Sequence, residues 1–273
     1  MRRLPKNKNF SPSGPIGIFD SGVGGLTVFK EVEKLLPQEH IVYMGDTARV
    51  PYGNKSPQTV IRFSTENALF LLKKKVKLII VACNTSSSLA LDFLQKTFNI
   101  PLIGVIDPAV EKALRVSGSH RIGVIGTSST VNSNVYQRKI AQADPGANVY
   151  VKACPLFVPL VEEAMLSGEI TESVASFYLA ELKNKIDTLI LGCTHYPLLK
   201  KVIASYLKDV YLVNSAREVA LTTRALLEKE KLLNGRKQPG RREFYVSDEP
   251  AAFMKLARLF LGSTVDKPKI INV

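Results

Sequence analysis

Two cysteines in this chain each end a short, wholly apolar run and are followed at once by hydroxyl, amide or imidazole side chains: LIIVACNTSS around Cys83 and TLILGCTHYP around Cys193. A thiolate can take a proton and a thiol can give one, so a facing pair suits chemistry on both faces of a single atom. Cys154, in NVYVKACPLFVP, has apolar neighbours and no polar cluster after it, the pattern of a packing residue. Of three histidines, His195 lies beside Cys193, whereas His40 and His120 sit next to expected strand starts. Cys/His pairs at the ligand spacing zinc needs do not occur in the sequence, so no metal site is expected. A hydrolase built on Cys193 and His195 would leave the second thiol without a role.

The elements that must position these thiols are written twice. PIGIFDSGVGG from Pro15 matches RIGVIGTSSTVN from Arg121, and near-equal separations relate Gly17 to Gly123 and Cys83 to Cys193. Two copies of about 100 residues are each large enough to close a core. Apolar β-rich runs alternate with amphipathic helical stretches throughout, which implies βαβ units and a mainly parallel, helix-covered sheet in each copy. The expected fold is therefore α/β, with two pseudo-symmetric parallel-sheet domains facing each other across a central cleft. The C-terminal REFYVSD, FMKLARLFL and KIINV have no third counterpart and are expected to return to the first domain. The expected division is 1–107 plus 216–273 for the first domain and 108–215 for the second, with 1–13 as a basic flexible arm.

In open α/β sheets, ligands bind beyond the carboxyl ends of the strands, where Asp20, Asp46, Cys83, Asp107, Thr127 and Cys193 all fall. Cys83 is expected to lead into a helix SLALDFLQKTF and Cys193 into a helix LLKKVIASYL with Pro197 in its first turn. A helix N-terminus lowers a thiol pKa and offers free N–H groups to a carboxylate. The loop Asp20-Ser21-Gly22-Val23-Gly24-Gly25 imitates a dinucleotide fingerprint, but Thr27 stands where its third glycine belongs. Asp20 is left as a group that can hydrogen-bond a thiol or a substrate ammonium.

At 273 residues and 45% apolar content the chain is a core-forming globular protein. Its apolar runs are far shorter than a bilayer span, and MRRLPKNKNF lacks the apolar stretch of a signal peptide, so no membrane association and a cytoplasmic location are expected. Three cysteines are too few for a disulfide framework and are expected to stay reduced. Of the formal charge of +13, eight cations sit in two segments, Arg2, Arg3, Lys6 and Lys8 in the arm and Arg236, Lys237, Arg241 and Arg242 in the loop NGRKQPGRRE. With few aromatics to stack on bases, these read as solvated basic loops rather than a nucleic-acid surface.

Five ordered motifs, FDSGVGGL, GDTARVPYG, ACNTSS, CPLFVPLVE and GCTHYPLL, together resemble the glutamate racemases, over about Pro15 to Ala220. The resemblance implies a cofactor-independent enzyme that interconverts L- and D-glutamate and supplies D-glutamate for peptidoglycan. It implies that Cys83 removes the α-proton of the D-isomer and Cys193 that of the L-isomer, with Asp20 assisting Cys83 and His195 assisting Cys193. Glu162 matches a further position near the site, with Glu163 adjacent. Asp20 and Ser21, Tyr52 and Gly53, Asn84 and Thr85, and Thr194 and His195 are the positions implied to hold the substrate, and a homodimer is implied as a common family state. No lysine is marked out for a pyridoxal phosphate Schiff base. The alternatives left open are a two-thiol racemase of another acidic amino acid, such as aspartate, and a nucleic-acid-binding protein using the basic arm.

Overall fold

The computed structural model describes residues 10–273, so Arg2, Arg3, Lys6 and Lys8 of the basic arm lie outside the described residues. The strands are β1 (Ile16–Asp20), β2 (Ile41–Gly45), β3 (Leu78–Val81), β4 (Leu102–Gly104), β5 (Arg121–Gly126), β6 (Asn148–Ala153), β7 (Thr188–Gly192), β8 (Tyr211–Val213), β9 (Arg242–Val246) and β10 (Lys269–Ile270). Within the first copy they alternate with α1 (Leu26–Leu35), α2 (Pro57–Lys73), α3 (Asn84–Leu89), α4 (Leu91–Thr97) and α5 (Ile106–Val116). Beyond these lie α6 (Ser128–Asn132), α7 (Val135–Ala143), α8 (Phe157–Glu162), α9 (Glu169–Leu179), α10 (Lys200–Leu207), α11 (Ser215–Lys229) and α12 (Pro250–Leu261).

Two sheets result, in the orders β10-β9-β2-β1-β3-β4 and β6-β5-β7-β8, with every pair parallel. Strands β1, β2, β3 and β7 are buried along their whole length, which is why they read as continuous apolar runs rather than alternating ones. Without β9 and β10 the two strand orders coincide. Ile18 pairs with Ile80 across β1 and β3, as Val124 pairs with Ile190 across β5 and β7. The repeat in the sequence is thus a repeat in space, and the two thiols follow equivalent strands. The C-terminal strands extend the first sheet beyond β2, where Met44 pairs with Tyr245. Phe29 of α1, Tyr43 of β2, Phe244 of β9 and Phe253 of α12 pack there, with ring centroids 5.0 Å apart for Phe29 and Phe244 and 5.9 Å for Tyr43 and Phe253. Helix α11 lies along α1 and against α5, and its buried side chains belong to the larger apolar core, which takes in residues of both sheets.

Two local expectations change. The helix after Cys83 is broken at Ala90 (φ −115°, ψ −21°) into α3 and α4, and it begins one residue after the cysteine. After Cys193 no α-helix starts directly; a 3-10 turn, Tyr196–Leu199, comes first, with α10 beyond it. Its bonds run over three residues, from Tyr196 N–H to Cys193 O and from Leu198 N–H to His195 O, while Pro197 has no N–H to offer an α-helical ladder.

Candidate active site

The first half-site is built at the ends of β1 and β3. Cys83 is the residue before α3, nearly buried, with its Sγ 3.5 Å from the Ser21 hydroxyl. Asp20 ends β1 and is fully buried; its Oδ2 accepts the Gly22 N–H at 3.0 Å, while Oδ1 has no hydrogen-bond partner among the described residues. The Tyr43 hydroxyl donates to Gly22 O at 2.8 Å and fixes the loop between them. Burial pushes the Cys83 thiol up to about 11 and the neighbouring Asp20 charge adds to this, against the hydrogen bonds of Ser86 and Ser21. The expectation that the helix N-terminus would lower this thiol is therefore overturned: desolvation and a carboxylate outweigh a two-turn helix. Burial also raises Asp20, in part offset by His195 and by backbone N–H groups of the loop. The half-site is thus an anionic pocket that holds a proton.

The second half-site has the opposite character. Cys193 follows β7, nearly buried, with Sγ 3.9 Å from His195 Nδ1. The other ring nitrogen, Nε2, lies 3.0 Å from Glu162 Oε1 at the end of α8, and the ring edge meets Phe260 of α12. Burial alone would push His195 down, but the hydrogen bonds and charges of Cys193 and Glu162 reverse this and raise it to about 10. A cation therefore faces this sulfur. Cys193 precedes a 3-10 turn rather than an α-helix, so the positive charge beside this sulfur is that of the His195 imidazole, which the Glu162 carboxylate favours.

The two half-sites touch. A Cβ on Gly24 would fall 2.3 Å from Thr194 Oγ1 and 2.5 Å from the His195 ring, so the glycine loop of the first half lies directly on the second. Thr27, at the position that spoils the dinucleotide pattern, donates to Gly24 O at 2.9 Å and reaches Thr194 O at 3.2 Å. On the other side, the Thr85 hydroxyl lies 3.0 Å from that of Thr127, and Ser129 donates to Gly53 O at 2.8 Å. The Tyr136 hydroxyl donates to Asn84 Oδ1 at 2.7 Å.

Asp20, Ser21, Cys83, Asn84 and Thr85 thus form one wall, with Cys193, Thr194, His195 and Glu162 around the second thiol. Glu162, rather than Glu163, carries the carboxylate beside His195. Tyr52 turns its hydroxyl onto Asp46, is held also by Asn67 Nδ2 at 3.2 Å, and packs in a small apolar cluster with Cys83, so its side chain is already occupied. Asp46 is fully buried and occupied by Arg49, Tyr52 and Ser247. Sequence reasoning missed Thr27, Tyr43 and Tyr136 as contributors. Each acts by contact between distant segments, a signal that a single sequence does not carry.

The chain is a pair of parallel α/β halves with a thiol just beyond equivalent strands of each, and the profile of the Asp/Glu/Hydantoin racemase family matches residues 16–222. The chain belongs to that family, and within it to the glutamate racemases. It is 50% identical to the glutamate racemase of Geobacter metallireducens over 92% of this chain and 94% of that one. Among solved structures, the glutamate racemase of Francisella tularensis in complex with D-glutamate matches with a TM-score of 0.90 and 42% identity over 96% of this chain and 98% of the other. A glutamate racemase isoform from Bacillus anthracis matches with a TM-score of 0.92 and 37% identity over 95% and 98%. These similarities do not favour the aspartate or nucleic-acid readings. Among the described residues no helix is long and apolar enough to cross a membrane.

Proposed function

We propose that this chain racemises glutamate with its two thiols acting from opposite faces of Cα and with no cofactor, supplying D-glutamate for peptidoglycan. The observation that carries the mechanism is the opposite electrostatics of two thiols on equivalent strands. In the L-to-D direction, Cys193, facing the His195 cation, takes the α-proton, and the protonated Cys83 delivers one to the other face. In the D-to-L direction the roles exchange, and Asp20, buried with an Oδ1 that has no partner among the described residues, accepts the proton that Cys83 must give up. Each proton moves between carbon and sulfur as the C–H electron pair passes through a carbanion whose charge spreads into the α-carboxylate. Hydrogen-bond donors aimed at that carboxylate lower the barrier in a site closed to water. Asn84, Thr85, Thr194, His195, Ser21 and the Tyr52-Gly53 backbone are the groups proposed to hold the substrate.

The proposal also includes residues 1–107 plus 216–273 and 108–215 as the two domains, a cytoplasmic location and a homodimer. Exposed Ile170 and Phe177, one above the other on α9, supply an apolar surface for the last. The test is L-glutamate in D2O with purified protein and no added cofactor, following α-proton loss by NMR and optical rotation together. Exchange with loss of rotation is expected. Exchange with aspartate but not glutamate would overturn the substrate, and no exchange with either the mechanism.

A further inference from the structure

The geometry points to Tyr136 as a positioning residue that reaches from the second half of the molecule and fixes the Asn84 amide with its NH2 group toward the cleft. This rests on the reading above that Asn84 holds the substrate. Asn84 is the first residue of α3, directly after Cys83, and Tyr136 stands on α7, between β5 and β6 of the other sheet. Both are buried, so the bond between them is shielded from water. Its length of 2.7 Å is typical of O–H···O rather than of an amide N–H donor, which makes Oδ1 the atom facing the tyrosine. Burial raises Tyr136 far above its usual range, so it remains a donor at any working pH, and the Ser215 hydroxyl approaches its oxygen from α11. The Nδ2 of Asn84 has no acceptor among the described residues and, unlike Asp20 Oδ1, is not sealed from solvent. Asn84 and Cys193 line one recess together with Thr27 and Thr194.

An unconstrained Asn amide can turn over, presenting either two donors or an acceptor. A substrate carboxylate accepts from NH2 and is repelled by the carbonyl oxygen, so the orientation decides whether Asn84 binds or opposes it. Tyr136 selects the binding orientation before substrate arrives. It also ties the helix that follows Cys83 to the sheet that carries Cys193.

The test is a double-mutant cycle on the full-length protein, with KM and kcat for glutamate measured in both directions. Tyr136→Phe, which removes only the hydroxyl, is expected to raise KM roughly tenfold while changing kcat less. Asn84→Ala is expected to raise KM at least as much, and adding Tyr136→Phe to it is expected to change KM no further. Equal fold effects of Tyr136→Phe in both backgrounds would overturn the positioning role, leaving Asn84 as a substrate contact. An unchanged KM in Asn84→Ala would instead overturn the reading of Asn84 as a contact, and the inference with it. Asn84→Asp answers independently of how well Tyr136→Phe folds. It keeps an acceptor for the tyrosine and removes the NH2, so KM is expected to rise at least as much as in Asn84→Ala, and an unchanged KM overturns the orientation.

Discussion

The two half-sites share a thiol at the end of an equivalent strand, yet the charges set around each sulfur are opposite. Burial and the charge of the buried Asp20 carboxylate, one of whose oxygens has no partner among the described residues, push the Cys83 thiol up to about 11. Cys193 faces a histidine whose pKa Cys193 itself and a second carboxylate, Glu162, both raise against the effect of burial. The duplicated fold sets the two sulfurs beyond equivalent strands, while the side chains around them differ: a buried carboxylate acts on Cys83, and a histidine paired with a carboxylate stands beside Cys193.

The sharpest way to break the comparison is to remove either sulfur. Cys83→Ser and Cys193→Ser are each expected to lower racemisation by about 10³ to 10⁴-fold in both directions, with the thermal midpoint nearly unchanged. Circular dichroism of the glutamate pool measures this, and a serine variant that racemises at the unmodified rate would remove that thiol from the mechanism.

Removing the charge partners separates the halves. Asp20→Asn and His195→Asn are each expected to reduce kcat by about 10²-fold with a smaller change in KM. For Asp20→Asn the sign of a pH effect follows: the carboxylate raises the Cys83 thiol, so a neutral amide lets the thiol ionise at lower pH. Alkylation of Cys83 by iodoacetamide is then expected to begin at lower pH than in the unmodified protein. An onset at higher pH would mean that Asp20 does not act on Cys83 through its charge.

Much of this contrast was legible in the sequence, and the missing part has a physical cause. The runs IGIFD, LIIV and TLILG announced buried parallel strands because a strand covered on both faces is apolar throughout. The matched contexts of Cys83 and Cys193 announced the duplication. The glycine loop was legible as a tight turn, but the reason Gly24 bears no side chain lies in Thr194 and His195, far along the chain. The electrostatics were misread in the same way. A helix after each cysteine suggested lowered thiols, but burial and the Asp20 carboxylate, neither visible in the local sequence, decide the sign at Cys83. At Cys193, Pro197 turned the expected helix start into a 3-10 turn.

The contact between the halves gives a smaller test. Gly24→Ala places a methyl group where Thr194 and His195 already stand, so one loop must move. A stability loss of about 1–3 kcal/mol is expected from overpacking, with about a tenfold loss of kcat/KM from the displaced imidazole. Chemical denaturation alongside kinetics checks both. A variant as active as the unmodified protein would show that the His195 position is not set by this loop.

The smallest effect is expected at Glu162, whose side chain is 37% exposed and so exerts its charge through partly aqueous surroundings. Its carboxylate favours the charged imidazole, and Glu162→Gln keeps the hydrogen bond to Nε2 while removing that charge. His195 then loses its proton at lower pH, and the alkaline limb of kcat/KM is expected to move toward neutrality by less than about one pH unit. Activity near neutral pH, where His195 stays charged in either protein, is expected to fall only a few-fold. A pH profile in the L-to-D direction measures both. A limb that moves to higher pH would show that Glu162 does not stabilise the imidazolium, and the opposition between the half-sites would then rest on Asp20 alone.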